Sequence, residues 1–242
     1  MILTTWNMQG GNATTEVKWQ TGVANILANS PLRPDAICLQ EAGGVPDSAR
    51  LLGVVSRGPV SGRFFDPLSG TTRVSVYQWG GTRTRPGHTI FHHEWDDQGN
   101  RVNTALVTYA ELRPPFDIEL SWAGEGPTWR PALGILLRGA WIFSFHAISP
   151  NGADAAAVLA RVADGAAGTD WYVGGDFNRD PMTLIPLIPA NSVACEPSRP
   201  THPVKNPSTR KDYFVRSGII PATGTVEANI TYSDHFPVEY AF

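Results

Sequence analysis

The spacing of hydrophobic residues changes twice within the first forty positions of the chain. Residues 2–6 alternate and are rich in strand-forming types, which predicts a β-strand. Residues 35–40 form a second apolar run of the same kind. Between them, from about Thr14, apolar residues recur at helical spacing, at Trp19, Val23, Ile26 and Leu27. The order strand, helix, strand predicts a parallel crossover.

Shorter apolar segments follow and predict strands joined by turns. Residues 97–100 are expected to form one of the turns, and the proline-rich residues 186–207 an irregular surface loop. The predicted strands lie at residues 74–77, 89–95, 105–111, 116–120, 132–137, 141–145, 171–173, 212–215 and 236–240.

A second helix is expected after Asn151 or Asp154, either of which would cap it. It would carry Val158, Leu159 and Val162 on its buried face. Because no linker interrupts the chain, we expect one α/β domain over residues 1–242. Its architecture would be two packed mixed β-sheets with helices outside.

Residues 174–180, Gly-Gly-Asp-Phe-Asn-Arg-Asp, follow one of the predicted buried strands. The two glycines suggest a tight turn where the strand ends. Asp176 and Asn178 would project to the same side while the strand persists, and a carboxylate beside an amide at a strand end is a plausible reaction site. Asp180 and Pro181 indicate a helix start, with Asp180 as the cap.

Composition narrows the range of functions. The 242 residues are 42% hydrophobic but contain no run of 18 apolar residues, so no membrane span is expected. The net charge of −3 argues against binding a nucleic acid through bulk electrostatics, so a local cationic cleft or a metal ion would have to hold a polyanion. Two cysteines do not form a disulfide framework, and two free thiols are expected.

Polar residues recur where the predicted strands end or begin. Each alone is an ordinary turn or surface residue, but together they offer carboxylate and amide oxygens for a hard cation such as Mg²⁺, with Ca²⁺ or Mn²⁺ as alternatives. Two histidines beside carboxylates suit acid–base catalysis, and arginines such as Arg101 and Arg130 suit phosphate. This combination fits attack of water on phosphorus. The strand-end residues are Asn7, Glu41, His146, Asp176, Asn178, Asp212, Asp234 and His235.

The order of these motifs resembles the endonuclease/exonuclease/phosphatase superfamily, which includes pancreatic-type DNase I. The finer resemblance is to the catalytic B subunits of cytolethal distending toxins, and it spans nearly the whole chain. The segments that carry it are Trp6–Gly10, Thr15–Trp19, Gln40–Gly43, Asn100–Asn103, Arg130–Pro131, Gly175–Pro181 and Ser233–Val238.

The resemblance implies a four-layered α/β sandwich and a metal-dependent phosphodiesterase. It implies that Glu41 is a metal ligand, with Asp234 and Asn7 close to the ion. Asp176 and Asn178 would orient the attacking water and the phosphate. His146 and His235 would form the acid–base and transition-state-stabilising pair, with Asp212 orienting His235. The residues that would hold phosphate are Arg101, Asn103 and Arg130.

Two positions depart from the pattern of the relatives. Lys211 stands where they usually have a leucine before the aspartate. DNase-like members also tend to have a carboxylate that orients the first histidine, and the nearest candidate here is Gln78, which is neutral. A glutamine at that position would leave His146 without a charge that favours its protonated form.

Three functions follow from the resemblance. The first is nicking of DNA through its phosphate backbone, as the catalytic subunit of a secreted toxin that acts in the target-cell nucleus. The second is a phosphatase of phosphoinositide headgroups, and the third a non-catalytic phosphate-binding module. Separate delivery subunits are expected partners of a toxin. Because the chain opens directly on a strand, either it is a mature form or it is made without a signal peptide and stays cytoplasmic.

Overall fold

The computed structural model describes residues 1–10, 15–29, 33–57, 72–81, 87–95, 102–110, 112–124 and 129–242. The turn predicted at residues 97–100 lies outside the described residues. The strands in chain order are β1 (Ile2–Asn7), β2 (Ala36–Gln40), β3 (Arg50–Arg57), β4 (Thr72–Trp79), β5 (His88–His93), β6 (Thr104–Thr108), β7 (Ile118–Ser121), β8 (Ala132–Leu137), β9 (Ala140–His146), β10 (Trp171–Asp176), β11 (Ser192–Cys195), β12 (Asp212–Ser217), β13 (Thr225–Val226) and β14 (Val238–Ala241).

The helical segments lie between these strands. The first begins at α1 (Thr15–Val17), passes through a π-helical stretch (Lys18–Val23) and ends as α2 (Ala24–Asn29). The others are α3 (Ala155–Ala166), α4 (Pro181–Leu184) and a short 3₁₀ turn (Ile185–Leu187). None of the helices in the described part of the chain is long and apolar enough to cross a membrane.

The strands form two mixed sheets, as expected. The first has the order β13-β14-β1-β2-β6-β5-β4-β3 and the second the order β11-β12-β10-β9-β8-β7. Each sheet contains one parallel pair, β1 with β2 and β9 with β10, and its other pairs are antiparallel. The predicted parallel crossover is therefore confirmed. Arg50–Arg57 and Thr225–Val226 are strands that the hydrophobic pattern did not predict.

The two sheets pack face to face over a common apolar core. Leu3, Cys38 and Phe91 of the first sheet are buried with Phe143 and Phe145 of the second. Polar contacts also cross this interface, because the Gln40 amide donates to the Ser144 hydroxyl at 3.0 Å and that hydroxyl donates to the Leu39 carbonyl at 2.9 Å. A buried polar pair that is satisfied across the interface fixes the register of the sheets.

Helices cover the outer faces. Trp19, Val23, Ile26 and Leu27 of the first helical segment are buried with Trp6 of β1, which confirms the helical spacing seen in the sequence. A Cβ on Gly22 would lie 2.5 Å from the Trp6 ring, so the helix approaches that ring closely. Helix α3 packs Val158, Leu159 and Val162 into the core of the second sheet. The order helix, sheet, sheet, helix is the expected four-layered α/β sandwich.

The prediction for Gly174 and Gly175 was wrong about their role. Strand β10 continues through both glycines and ends at Asp176, so they form no turn. A Cβ on Gly175 would lie 2.0 Å from the Phe145 carbonyl oxygen, and one on Gly174 would lie 2.3 Å from the Phe214 ring. The glycines are required because neighbouring groups approach β10 too closely for any side chain.

Asn178 and the later loop also differ from expectation. Asn178 lies beyond the strand in a left-handed conformation with φ of 49°, so it does not share a strand face with Asp176. Residues 186–207 are not wholly irregular, since they contain β11, which pairs with β12 and buries Cys195.

Both cysteines are free, as predicted. Asp180 caps α4 as predicted, since its side chain accepts from the Met182 amide.

A prediction follows for Gly175. Gly175→Ala should lower the free energy of unfolding by about 1–3 kcal/mol, the usual cost of forcing extra atoms into a packed region. Urea denaturation measures this change. Gly53→Ala is the matched control, because Gly53 also lies in a strand and an added Cβ there meets nothing within 4 Å. Equal losses for the two variants would show that β10 can move away from Phe145.

Candidate active site

The ends of four strands meet at one edge of the sandwich. Asn7 lies opposite Gln40 in the first parallel pair, and Asp176 lies opposite His146 in the second. Glu41 follows β2 with φ of 45°. Parallel strands end at the same edge of their sheet, so the two pairs bring four polar side chains together. They surround a cavity of about 380 Å³ lined by Asn7, Gln9, Glu41, Val102, Arg130, His146, Ser149, Asp176, Asn178, Asp234 and His235.

Asp176 is the carboxylate that connects the groups of this cavity. The Asn7 amide donates to its Oδ2 at 2.9 Å, and the Asn178 backbone N–H donates to its Oδ1 at 2.8 Å. The same Oδ2 lies 3.9 Å from Nε2 of His146 and 3.7 Å from Nε2 of His235. Both imidazoles therefore point the same nitrogen at one buried carboxylate oxygen.

His235 is held by Asp212 on its far nitrogen. Its Nδ1 lies 2.9 Å and 3.0 Å from the two oxygens of Asp212, which is fully buried. The Thr201 hydroxyl donates to Asp212 Oδ2 at 2.6 Å and fixes the carboxylate in turn. Burial lowers the pKa of His235, but the charge and hydrogen bond of Asp212, with Asp176 and Asp234, outweigh it and raise this pKa to about 9.

His146 has the opposite environment. Nη1 of Arg130 lies 3.2 Å from its Nδ1, and because a guanidinium can only donate, Nδ1 must accept and carry no proton. Burial lowers the pKa of His146 to about 4; Asp176 opposes this shift, while Arg130, His235 and Lys211 add to it. The neutral ring then presents an Nε2–H group to the cavity.

Gln78 does not stand beside His146. Its side chain accepts a hydrogen bond from Arg50 of the neighbouring strand β3, and Gln78 is not among the residues that line the cavity. Arg130 takes the position on Nδ1 instead. A cation in place of a carboxylate reverses the influence on the imidazole, because it disfavours the protonated ring.

The groups expected around a metal ion, Glu41, Asp234 and Asn7, all line the cavity. Oε1 of Glu41 is 3.5 Å from the Asn7 amide nitrogen and 3.8 Å from Nε2 of His146. The Asp234 side chain is 40% exposed. These carboxylate oxygens fit a hard divalent cation, and Mg²⁺ in particular is often held by only one or two protein carboxylates.

Asn7 is oriented as a donor toward the carboxylates. Its Oδ1 accepts from the Gln9 backbone N–H at 2.8 Å, which leaves the amide nitrogen facing Glu41 and Asp176. Asn7 is therefore placed to orient both carboxylates through its amide nitrogen. It is less suited to ligate an ion, because its side-chain oxygen is bound to the Gln9 N–H. The sequence pattern identified the residue but not which atom faces the cavity.

The three residues expected to hold phosphate differ in placement. Arg130 lines the cavity. Asn103 is fully buried outside it, with its amide donating to the Gly43 carbonyl at 3.3 Å and its Oδ1 accepting from the Trp95 N–H at 2.9 Å. The structure therefore does not bring the Asn103 side chain to the cavity. Arg101 lies outside the described residues.

Sequence reasoning missed several residues of the site. Thr201 and His202 come from the proline-rich segment that was expected to be a loop, where no periodic pattern marks them. Lys18 donates to the carbonyls of Met8 at 2.6 Å and Gln9 at 2.7 Å and so supports the loop after β1. Asp154 is fully buried and interacts electrostatically with Arg130. Lys18 lies within the Thr15–Trp19 segment of the resemblance, and Asp154 was expected as a helix cap. Asp154 does stand at the N-cap of α3, but its side chain makes no capping hydrogen bond.

Comparisons with known proteins agree with this geometry. The sequence profile of the Endonuclease/Exonuclease/phosphatase family matches residues 4–235. The chain belongs to this family. A Salmonella typhi relative, a homolog of the B subunits of cytolethal distending toxins, is 30% identical over 249 residues, covering 98% of this chain and 87% of the relative. One of those B subunits, from Escherichia coli, is also 30% identical, over 97% of this chain and 88% of its own length.

A solved structure shows the same fold. The cytolethal distending toxin from Haemophilus ducreyi matches with a TM-score of 0.81 and 28% identity, over 99% of this chain and 97% of that chain. The resemblance inferred from the motifs is therefore confirmed, as is the DNase I-like fold. Membership of the family makes the chain a DNase I-like hydrolase of phosphoester bonds, which is the reaction class that the strand-end residues predicted.

The opposite environments of the two histidines yield a prediction about stability. Because folding raises the pKa of His235 from 6.5 to about 9, the stability that this histidine contributes is fully present below pH 6.5 and is lost as the pH rises through 9. Asp212→Asn removes the charge that causes much of this shift. The free energy of unfolding of the variant should therefore fall less between these two pH values than that of the parent.

Urea denaturation at several pH values tests this expectation. Asp47→Asn is the control for loss of one carboxylate, because Asp47 is exposed and remote from His235 in the sequence. A decline with pH that is as steep in Asp212→Asn as in the parent would mean that His235 does not owe its proton to Asp212.

Proposed function

We propose that the chain nicks DNA as a divalent-metal-dependent phosphodiesterase. The observation that carries this proposal is the pair of buried histidines that both direct Nε2 toward Asp176, one with Asp212 and the other with Arg130 on its far nitrogen. His235, with Asp212 behind it, holds a proton on Nε2 at neutral pH. His146, with Arg130 behind it, is neutral and offers a hydrogen bond from Nε2. Two titratable groups whose pKa values are pushed apart are a characteristic of acid–base sites.

Each residue then has a defined part in hydrolysis. Asp176, supported by Asn7 and Asn178, orients a water molecule and accepts its proton as the water oxygen attacks phosphorus. His235 gives its Nε2 proton to the oxygen that leaves as the P–O bond breaks. His146 donates a hydrogen bond to a non-bridging oxygen, where negative charge develops.

Arg130 holds the phosphate while it supports His146. A guanidinium has five N–H donors, so the contact of one nitrogen with His146 leaves donors for phosphate oxygens. We propose the same phosphate-binding role, by resemblance, for Arg101; Asn103 is buried away from the cavity and is not proposed to contact phosphate. Asn178 lines the cavity with its amide nitrogen bound to the Ala147 carbonyl at 3.0 Å, which turns its Oδ1 away from that contact.

A divalent ion fits the carboxylates that remain. We propose that Glu41 and Asp234 hold Mg²⁺, with Asn7 beside it; Ca²⁺ and Mn²⁺ are alternatives with the same oxygen preference. When bound, such an ion neutralises charge on the phosphate and polarises its oxygens. Burial, with Arg130, lowers the pKa of His146, and Asp212 raises the pKa of His235 against the effect of burial; these influences belong to the chain itself.

DNA is the substrate that we favour. Contacts to a phosphate backbone carry no sequence information, so nicking would show little sequence preference. Because the net charge is −3, local cations such as Arg130 and His235, together with the proposed metal ion, would have to hold the backbone. A phosphoinositide headgroup offers the same phosphate chemistry and is the alternative substrate. A role limited to phosphate binding would not require two histidines whose pKa values are pushed apart.

The relatives suggest the setting in which the activity operates. Because they are subunits of cytolethal distending toxins, we propose that this chain is the catalytic subunit of a secreted toxin. DNA as the substrate places its action in the nucleus of the target cell. Separate subunits would deliver it. We also propose that residues 1–242 form one catalytic domain, since the family profile spans residues 4–235.

Two assays on the same preparation test the substrate. Conversion of supercoiled plasmid to the nicked form should require Mg²⁺ and stop when the ion is chelated. Phosphate release from phosphatidylinositol 3,4,5-trisphosphate in vesicles is the parallel assay. Phosphate release without nicking would replace DNA by the lipid headgroup, and inactivity in both would reject the proposed function.

Glu41→Gln is predicted to abolish nicking at ordinary Mg²⁺ concentrations. The amide keeps the shape of the side chain but loses the charge that attracts a hard cation. Plasmid nicking should be measured across a range of Mg²⁺ concentrations. Asp47→Asn controls for loss of a negative charge at an exposed position. Nicking by Glu41→Gln with unchanged metal dependence would remove Glu41 from the metal site.

Asp212 and His235 are predicted to act as one unit. Asp212→Asn and His235→Ala should each lower turnover on the order of a hundredfold or more, the usual contribution of a positioned acid or base. The double variant should be little worse than His235→Ala, because residues that act together do not contribute independently. Thermal melting of each variant checks its folding. Losses that multiply in the double variant would mean that Asp212 works on another group.

A further inference from the structure

His202 lies beside the proposed reaction centre but has no part in the proposed hydrolysis. Its ring packs against that of His235 with the centroids 4.4 Å apart. Its Nε2 lies 3.6 Å from Oδ2 of Asp234, while the other oxygen of that carboxylate lies 3.8 Å from Nε2 of His235. The two imidazole nitrogens and a carboxylate oxygen all lie within 4.8 Å of one another.

The backbone holds these three residues together. The Val204 N–H donates to the Asp234 carbonyl at 2.9 Å, and the Phe236 N–H donates to the Thr201 carbonyl at 3.0 Å. These two bonds join the segments on both sides of His202. The placement of His202 against Asp234 and His235 is therefore a feature of the fold rather than of one side-chain rotamer.

Partners on the far side of the rings orient both histidines. Asp212 holds Nδ1 of His235 at 2.9 Å, which directs its Nε2 toward Asp234. Nδ1 of His202 lies 3.5 Å from the Thr209 hydroxyl. A carboxylate on the far nitrogen of a histidine is the usual support of a metal-bound imidazole, because it fixes the tautomer and strengthens the ligand.

We propose that His202, Asp234 and His235 form a binding site for a zinc ion. Two imidazoles and one carboxylate suit zinc, which takes nitrogen and oxygen ligands at about 2.0–2.1 Å and leaves a fourth position for water. Ligand atoms around such an ion lie about 3.3 Å apart, so small movements of Asp234 and His202 complete the site. Imidazole nitrogens make the site unsuitable for Mg²⁺, which prefers oxygen.

Zinc at this site blocks hydrolysis, a consequence that rests on the proposed function. Zinc takes the place of the proton on Nε2 of His235 and releases it to solvent, because only the deprotonated nitrogen is a ligand. The ring then has no proton to give to a leaving oxygen. Zinc also occupies Asp234, one of the carboxylates proposed to hold Mg²⁺. Three protein ligands leave the fourth position open, whereas a structural zinc site has four protein ligands.

Binding is measured without reference to activity. The full chain, freed of metal, is titrated with ZnCl₂ by calorimetry and with CoCl₂ by visible absorption, which reports on coordination geometry. We expect one ion per chain and a spectrum of nitrogen and oxygen ligation. Because loss of an outer partner alone typically costs about 10–100-fold in metal affinity, His202→Gln should weaken zinc binding at least about tenfold.

Matched variants separate this site from other sources of binding. His88→Gln removes a histidine of β5 and should bind zinc like the parent, as should Glu41→Gln, which removes the proposed Mg²⁺ ligand. Asp234→Asn is a second test of the site at an exposed side chain, and it should bind as weakly as His202→Gln. Thermal melting without metal shows that each variant is folded.

Zinc is then added to the plasmid assay at fixed Mg²⁺, with the parent and His202→Gln each compared with its own zinc-free rate. The parent should be inhibited at lower zinc than His202→Gln by at least about tenfold, matching the difference in affinity. A parent that binds no zinc, or a folded His202→Gln that binds it as tightly as the parent, overturns the site. If the parent does not nick DNA, the proposed function fails while the two titrations still decide the zinc site.

Discussion

The hydrogen bond between Asn7 and Asp176 joins the two sheets at the candidate active site. Asn7 ends β1 in the first sheet and Asp176 ends β10 in the second, and the amide donates across the gap at 2.9 Å. The contact forms only because each sheet contains a parallel pair that ends at this edge. The close approach of β10 to β9, which Gly175 permits, sets the depth of Asp176. Both His146 and His235 direct Nε2 toward the Asp176 carboxylate.

The proton states of the two histidines follow from what lies behind them. Both rings are buried and both point Nε2 at Asp176, so neither burial nor the shared carboxylate distinguishes them. Asp212 behind His235 favours the charged ring, and Arg130 behind His146 favours the neutral one. His146 has Arg130 on Nδ1 where a carboxylate was expected. The change favours the neutral ring, and it is the neutral ring that would donate a hydrogen bond from Nε2 in the proposed reaction.

Much of the fold and most of the site could be predicted from the sequence, for physical reasons that also explain the failures. Trp19, Val23, Ile26 and Leu27 gave the correct helix because their spacing is a local property. The glycines of β10 were misread because their reason lies in Phe145 and Phe214, which are distant in sequence. Gln78 was wrongly expected beside His146, because no local pattern in the sequence marks the residue that lies against Nδ1 of that ring. His202 was missed because its segment has no periodic pattern and depends on backbone bonds to residues 234–236.

The pair of Asp212 and His235 has a consequence that reaches beyond hydrolysis. A histidine becomes an effective acid near neutral pH when a carboxylate fixes its far nitrogen and directs Nε2 into the site. The same arrangement makes Nε2 a good metal ligand once its proton is removed. With His202 held against Asp234 by the backbone, the features that would let His235 protonate a leaving oxygen, as proposed, also suit it to the proposed zinc ion. Selectivity between these two proposed roles then rests on His202, which contributes the second imidazole and has no part in the proposed proton transfer.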